Sequence, residues 1–93
     1  MAILLAFCVR DERVGSFNQP FYAPTFGFAE RIFSDTVNRP ADDNLLFHHP
    51  QDFGLYHLGS FDDSTGLLQS RLEDGIVLPP LLIFSGLDVK KES

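Results

Sequence analysis

The clearest periodic pattern in the chain is a set of apolar residues that recur at helical spacing between residues 26 and 37. This spacing predicts that the set forms one face of a helix: Phe28, Ala29, Ile32, Phe33 and Val37. Thr25 is a residue type that commonly caps the start of a helix. Asn38 is expected to end the helix in the left-handed conformation, and Pro40 prevents its continuation. The pattern therefore predicts the helix Phe26–Val37, with Phe33 central in its buried face.

Three further segments are predicted to form strands. Ala2–Val9 is continuously apolar and stops at a charged cluster, which is typical of a buried central strand. Phe53–Phe61 also has strand character. Alternation predicts two faces for it: Phe53, Leu55, His57 and Phe61 on one, and Tyr56 and Leu58 on the other. The turn composition of Asp62–Gly66 predicts a hairpin in which Leu67–Leu72 is the returning strand.

The remaining segments are predicted to be less regular. Val14–Pro24 and Ala41–Gln51 have the composition of loops. The second loop contains a short apolar run that is expected to tuck beneath it: Leu45, Leu46 and Phe47. Ile76–Phe84 is apolar, but Pro79 and Pro80 exclude it from the centre of a sheet. It is therefore predicted to be an edge strand or an extended arm that docks on a neighbouring subunit.

Together these elements predict a single α+β domain over residues 1–86. Its architecture would be a small, mainly antiparallel three- to four-stranded sheet with one helix packed on one face. Residues 76–86 would form the edge strand or oligomerisation arm, and residues 87–93 a mobile tail. A chain of 93 residues is long enough for one modest core.

Composition adds two constraints. The chain has ten Phe and no Trp, and a domain this small cannot bury so many rings, so some are expected to face a partner subunit or a ligand. The net charge of −6 is uneven, since residues 1–40 are neutral while residues 41–89 hold eight acids against Arg71 alone. This balance disfavours nucleic-acid binding by simple charge attraction, but a local arginine cluster in the first half is compatible with it.

The first apolar segment also bears on cellular location. Cys8 is the single cysteine and lies within apolar sequence, so it is predicted to be a buried structural thiol without a disulfide partner. The segment is too short to span a membrane, and no basic region precedes it. We therefore expect a soluble intracellular protein without a membrane partner.

Groups capable of catalysis or metal binding do not form a recognisable pattern. His48 and His49 are adjacent, so they point in different directions, and no cysteine pair accompanies them. Asp62 and Asp63 are expected to serve the turn, since acids at this spacing do not match a calcium loop. Nucleophile motifs and phosphate-binding glycine loops are absent from the sequence. We therefore expect no enzyme activity, no metal and no cofactor.

The strongest functional pattern combines arginines with aromatic residues. Single-stranded nucleic acid is commonly held by aromatic stacking within a cationic groove. The residues that would form such a site are Arg10, Arg13, Phe17, Phe21, Tyr22, Arg31 and Arg39. In the alternative interpretation, the aromatic residues pack in the core or against a subunit, and the arginines pair with four nearby acids: Asp11, Glu12, Glu30 and Asp35.

Two ordered sets of residues carry a family resemblance. The first set surrounds the predicted helix: Pro20, Phe21, Pro24, Thr25, Gly27, Ala29, Arg31, Phe33, Asp35, Val37, Asn38 and Pro40. The second surrounds the predicted hairpin: His49, Pro50, Asp52, Phe53, Leu55, Gly59, Phe61, Asp62, Asp63, Thr65 and Gly66. In this order they resemble the small nonstructural protein of gokushovirus-type microviruses, which are tailless phages with small single-stranded DNA genomes. The resemblance covers about half of the chain and omits the part from Leu72 onward, as well as the apolar run in the second loop.

The resemblance implies a non-enzymatic, DNA-binding nonstructural protein. Such proteins act in the host cell cytoplasm when single-stranded genomes are made and packaged into procapsids. The resemblance assigns no individual DNA-contacting residue. The expected partners are single-stranded DNA, other copies of the chain, and viral capsid, scaffold or replication proteins. The acidic charge favours the alternative of an oligomeric protein-interaction module that contacts viral or host proteins without binding DNA directly.

Overall fold

A computed structural model describes residues 3–91, so residues 1–2 and 92–93, which include the predicted start of the first strand and end of the tail, lie outside the described part. The strands are β1 (Ile3–Asp11), β2 (Ser16–Phe17), β3 (Phe21–Ala23), β4 (Phe53–Asp62), β5 (Leu67–Ser70), β6 (Leu72–Glu73), β7 (Ile76–Val77) and β8 (Leu81–Ser85). The helices are α1 (Phe26–Val37), α2 (Leu45–His48) and α3 (Gly86–Val89), and a 3₁₀ turn covers Pro50–Asp52. The α+β class and the mainly antiparallel pairing are confirmed.

The sheet is larger than predicted because each of its outer positions is shared by two short strands. Central strands β1 and β4 pair with each other along their whole length. On the free edge of β1, β2 and β3 pair in succession, and on the free edge of β4, β5 and β8 do the same. Six of the described strands therefore form one sheet. Since β2 and β3 fall within Val14–Pro24, the prediction of a loop there was wrong for residues 16–17 and 21–23.

Strand β4 contains a β-bulge that reverses its alternation. Its register against β1 shifts at Leu58, which is the extra residue of the bulge. A one-residue shift exchanges the two faces of a strand. Phe61 therefore lies on the face of Tyr56, whereas unbroken alternation predicted it beside Leu55.

Gly59, which follows the bulge, fixes how closely β5 approaches. A Cβ atom at this position would overlap the carbonyl oxygen of Gln69 in β5. Any side chain at Gly59 would therefore push the two strands apart, so glycine is required here by contact and not by backbone conformation.

A buried cluster joins the strands to helix α1. Its members are Phe7, Ala23, Ala29, Phe33, Val37, Leu55 and Val89. The prediction of a wider apolar helix face was wrong for two residues: Phe28 and Ile32 remain 52% and 36% exposed. Both lie about one-quarter turn away from the buried row of Ala29, Phe33 and Val37, because successive helix residues are rotated by about 100°.

The helix begins and ends near the predicted residues. The Thr25 hydroxyl accepts a hydrogen bond from Phe28 N at 3.1 Å, as expected of an N-cap. Asn38 has φ of −95°, so the predicted left-handed ending is wrong. Instead, Asn38 Nδ2 donates to the carbonyl oxygen of Ser34 at 2.8 Å, and the same oxygen accepts from Asn38 N at 3.0 Å.

The segment after β8 differs from the mobile tail predicted for residues 87–93. Helix α3 is capped by Ser85 and adds Val89 to the buried cluster. The side-chain amide of Asn38 donates to Val89 O at 2.9 Å and accepts from Lys91 N at 2.7 Å. The Lys90 ammonium lies 3.6 Å from the ring centroid of Phe47. These contacts tie residues 89–91 to the end of α1 and to α2.

The second predicted loop contains helix α2. Asn44 caps it by accepting a hydrogen bond from Leu46 N at 3.2 Å. Of the apolar run expected to tuck beneath the loop, Leu46 and Phe47 are half-buried, whereas Leu45 is 57% exposed. The prediction was therefore wrong for Leu45.

Replacing Phe33 with alanine is expected to lower the free energy of unfolding by about 3–5 kcal/mol, because the ring is 1% exposed at the centre of the cluster. The total free energy of unfolding of such a domain is roughly 5–15 kcal/mol. Phe28→Ala removes the same ring from an exposed position and should cost less than about 1 kcal/mol. Urea denaturation of both variants measures the difference, and equal losses would contradict the placement of the helix.

The stability of the fold should fall as the pH drops through the titration of His57. Its ring lies 5.4 Å from the Phe7 ring and 4.9 Å from the Phe26 ring, between centroids. Burial lowers the pKa of His57, Arg71 acts in the same direction, and a bond to the Gly59 carbonyl oxygen opposes them. The unfolded chain, with a histidine pKa of about 6.5, therefore takes up its proton at a higher pH than the folded chain.

We expect the free energy of unfolding to be highest above pH of about 7 and to decrease as the pH falls through about 6.5 towards the lower pKa of folded His57. Denaturant titrations across this range measure the slope, with His57→Gln as the comparison. The substituted chain should lose part of the slope. An identical slope in both proteins would contradict the role assigned to His57.

Candidate nucleic-acid interface

The side of the sheet away from the buried cluster presents aromatic side chains. Leu5, Phe7 and Val9 of β1 belong to the cluster or pack against it, so the alternate residues of β1 point to the other side. Strand pairing places an aromatic residue beside each of these alternate positions: Phe17 opposite Arg10, Tyr56 opposite Cys8, Tyr22 opposite Ala6 and Phe61 opposite Leu4. We call Phe17, Tyr22, Tyr56 and Phe61 the aromatic face.

At one end of the aromatic face, two aromatic rings contact an arginine–glutamate ion pair. The rings of Phe17 and Tyr56 meet edge to face with centroids 5.4 Å apart. The guanidinium carbon of Arg10 lies 5.4 Å from the Phe17 ring centroid. Glu12 contacts both Arg10 and Tyr56. Its Oε1 pairs with Arg10 Nη1, and its Oε2 accepts a hydrogen bond of 2.7 Å from Tyr56 Oη. We call Arg10, Glu12, Phe17 and Tyr56 the arginine cluster.

The arginine cluster keeps its donors protonated. The hydrogen bond to Glu12 raises the pKa of Arg10 above its ordinary value. Burial raises the pKa of Tyr56, and the bond to Glu12 raises it further. At neutral pH the cluster therefore presents a guanidinium and a phenolic hydroxyl as hydrogen-bond donors. Gly54 leaves room beneath them, since a Cβ atom there would lie 3.2 Å from the Tyr56 ring.

A second aromatic pair lies further along the same face. The ring centroids of Tyr22 and Phe61 are 5.5 Å apart, and Tyr22 is 40% exposed. Tyr22 also borders an open groove of about 210 Å³ whose wall includes Leu58 and Leu68. Arg10 and Ala6, which pair with Phe17 and Tyr22, are four residues apart on β1, a distance of roughly 13 Å. Two platforms at this separation can each stack on a base of one extended strand.

The seven residues predicted as a binding site do not all lie together. Arg10, Phe17 and Tyr22 share the open side of the sheet. Phe21 lies on the opposite side, half-buried, with its ring 5.9 Å from that of Phe7. Arg31 on α1 is exposed. Arg39, just after α1, is also exposed, and neither arginine joins Arg10, because α1 packs against the opposite side of the sheet.

Arg13 occupies a different groove with an acidic character. Its side chain is 80% exposed and lies 4.0 Å from Asp52. The groove has a volume of about 320 Å³ and also exposes Asp11, whose Oδ1 accepts a bond from Arg13 N. Two carboxylates around one arginine make this groove less suited to phosphate than the arginine cluster.

Three residues of the site were missed by sequence reasoning. Tyr56 was assigned to the correct face, but nothing in the sequence connects it with Phe17. Phe61 was assigned to the wrong face because the bulge in β4 has no recognisable sequence signal. Glu12 was considered only as a partner for arginine, and its bond to Tyr56, 44 positions away, depends on the pairing of β1 with β4.

Other kinds of site find less support. Among residues 3–91, no group of three or more His, Cys, Asp or Glu is arranged to hold a metal ion. Within the same range, no helix has both the length and the apolar character needed to cross a membrane. Cys8 is 1% exposed, as predicted, and its Sγ donates to Asn18 O at 2.8 Å. Burial raises the pKa of this thiol, which keeps it protonated and unreactive.

Comparison with known proteins gives a family match over most of the chain. The family model described as "Phage ORF5 protein" matches residues 4–89. No curated protein and no solved structure matches significantly. The matched range runs from β1 to α3 and includes the aromatic face and the arginine cluster. It also includes residues 72–89, which the resemblance based on individual residues left out.

Proposed function

The chain belongs to the phage ORF5 protein family, and we propose that it is a non-enzymatic phage protein that binds single-stranded DNA through the aromatic face. The observation that carries this proposal is the placement of four aromatic rings and Arg10 on one open side of the sheet. The resemblance to gokushovirus-type nonstructural proteins supports the choice of ligand. These phages make and package single-stranded genomes in the host cytoplasm, where such a protein would act.

Binding would rest on stacking more than on charge. Exposed rings offer a surface to the faces of bases, which are accessible in a single strand but hidden in a duplex. Phe17 and Tyr22 are 45% and 40% exposed, and each has a second ring at its side that fixes its orientation. The arginine cluster would supply a phosphate contact next to the Phe17 platform. This arrangement would allow an acidic protein to bind a polyanion.

Removing either exposed ring should weaken binding to a labelled single-stranded oligonucleotide. Phe17→Ala and Tyr22→Ala should each cost about 1–3 kcal/mol of binding free energy, because each removes one stacking platform. Phe28→Ala deletes an equally exposed ring from α1 and should leave the affinity unchanged. Fluorescence anisotropy at low salt measures all three.

The salt dependence of the wild-type protein provides a further check. A site with at most two phosphate contacts predicts a log–log slope no steeper than roughly −1.4, compared with roughly −3 if all four arginines contacted phosphates. Absence of binding at low salt, or equal weakening by Phe28→Ala, would refute the proposed site.

A second proposed function is assembly with protein partners, supported by the apolar surface around β5 and the hairpin of β6 and β7. Leu67 and Leu68 of β5 are 67% and 66% exposed, and Ile76 and Val77 are nearly as exposed. Among residues 3–91, the outer edge of β5 has no strand partner, and β5 itself carries no charge or proline that would block pairing.

The hairpin of β6 and β7 is joined to the sheet at its base, where Arg71 N donates to Leu58 O at 3.1 Å, and its exposed strands would be stabilised by packing on another surface. It has two residues in each strand and turns through Asp74 and Gly75, which have φ of 51° and 78°. Two-stranded hairpins are marginally stable in water on their own. A second copy of the chain, or a viral capsid, scaffold or replication protein, would provide that surface. Assembly would also multiply a weak DNA site.

Ile76→Asp should reduce the mass measured by light scattering if the hairpin mediates self-assembly, because it places a charge in the exposed apolar surface. Val14→Asp adds the same charge at a position that is 71% exposed in the turn after β1, and it should leave the mass unchanged. A truncation at Gly75 is unsuitable because it removes β8 from the sheet. A monomeric wild-type protein, or an unchanged mass for Ile76→Asp, would remove self-assembly through the hairpin.

A further inference from the structure

We propose that the Glu12 carboxylate occupies the place that a DNA phosphate takes on the arginine cluster, so that the unbound site is neutralised by a residue of the chain itself. This inference rests on the proposed single-stranded DNA-binding function. It adds a competitor to that function: DNA and Glu12 would exchange at the same pair of hydrogen-bond donors.

The geometry of the carboxylate matches the role of a phosphate. Its two oxygens are held by two different donors, the guanidinium of Arg10 and the hydroxyl of Tyr56. A carboxylate is an acceptor-only group when ionised. Two oxygens of a phosphate would accept from the same pair of donors. Charge-assisted hydrogen bonds of this kind are the strongest contacts that either anion could make here.

The ring of Phe17 places this anion site beside a base platform. Arg10 lies over the Phe17 ring, and Tyr56 meets that ring edge to face. A nucleotide whose base stacks on Phe17 would therefore bring its phosphate close to both donors. Among the arginines predicted for the site, Arg10 is the one that the structure places against the aromatic face.

Glu12 is free to leave without disturbing the fold. The side chains of Arg10 and Glu12 are 31% and 32% exposed, so solvent and ligand can reach the pair. Solvent screens part of the attraction in a pair at this exposure, so the net free energy of the pair is modest although its hydrogen bonds are charge-assisted. The backbone of Glu12 is anchored separately, since its N–H donates to Asp52 O at 2.7 Å. Exchange therefore requires only a rotation of the Glu12 side chain.

The exchange has a consequence for counterions. In the wild-type protein, the Glu12 carboxylate that a phosphate displaces stays beside the site and attracts a cation, which offsets the cation released from the DNA, so the net release of cations is small. Glu12→Gln keeps the shape of the side chain but removes its charge. The log–log salt slope for single-stranded DNA should then become steeper by about 0.7, the value for one additional phosphate contact.

The test compares Glu12→Gln with Glu73→Gln, which removes the same charge from an exposed position on β6. We expect Glu12→Gln to bind a single-stranded oligonucleotide about fivefold more tightly than the wild type at low salt. Glu73→Gln should change the affinity much less. Glu12→Asp, whose shorter side chain cannot span both donors, should fall between Glu12→Gln and the wild type.

A spectroscopic measurement without DNA tests the same contact. Because Glu12 raises the pKa of Tyr56, Glu12→Gln should lower the pH at which one of the two tyrosines ionises in an ultraviolet titration. Glu73→Gln should not change that titration. An unchanged tyrosine titration in a folded Glu12→Gln variant would overturn the contact on which the inference depends.

The binding outcomes separate the two proposals. If the wild type binds and Glu12→Gln matches Glu73→Gln or binds more weakly, the competitor role of Glu12 is wrong while the DNA-binding function stands. If neither the wild type nor either variant binds at low salt, the proposed function fails and the inference fails with it.

Discussion

The antiparallel pairing of β1 with β4 is the interaction on which the rest of the structure depends. It extends over nine residue pairs, from Ile3 and Asp62 to Asp11 and Phe53. The other strands of this sheet are short and pair with the outer edge of one of these two. The pairing also separates a side that packs with α1 and α3 from a side that remains open. The register of the pairing between β1 and β4 sets the positions of the aromatic rings on the open side.

The two proposed surfaces meet at Leu68 of β5, which pairs with Phe61 and lines the groove beside Tyr22. The aromatic face uses the open side of the sheet, and the assembly surface uses the outer edge of β5 and the projecting hairpin. Acidic charge is concentrated in the second half of the chain. The arginine cluster is drawn from β1, the residue after it, β2 and β4, so its local charge differs from the charge of the whole molecule. Net charge therefore gives limited guidance about this site.

Features encoded by neighbouring residues could be predicted from the sequence. Thr25 starts α1 as expected, and the Asp62–Gly66 turn forms with Gly66 at φ of 76° and with Asp62 accepting a bond from Ser64 N. Phe17 and Tyr22 were placed near Arg10 because all three are close in the chain.

Features that depend on pairing between distant residues could not be predicted. Strands β2 and β3 exist because β1 has a free edge, and α3 is held by Asn38, about fifty positions earlier in the chain. The separation of Arg31 and Arg39 from Arg10 follows from which side of the sheet α1 packs with, and a single sequence does not encode that choice in any local pattern. The bulge at Leu58 also depends on pairing between distant residues, since it is defined by the register of β4 against β1.

The bulge at Leu58 determines which side of the sheet the residues after it in β4 face. Tyr56 and Phe61 are five positions apart, so unbroken alternation would place their rings on opposite sides of the sheet. Because Leu58 is an extra residue without a partner in β1, both rings lie on the open side, and Tyr22 has the Phe61 ring as its neighbour. The alignment of the two aromatic pairs therefore depends on one residue that the sheet leaves out of its pairing, a feature that the composition and hydrophobicity of the strand do not reveal.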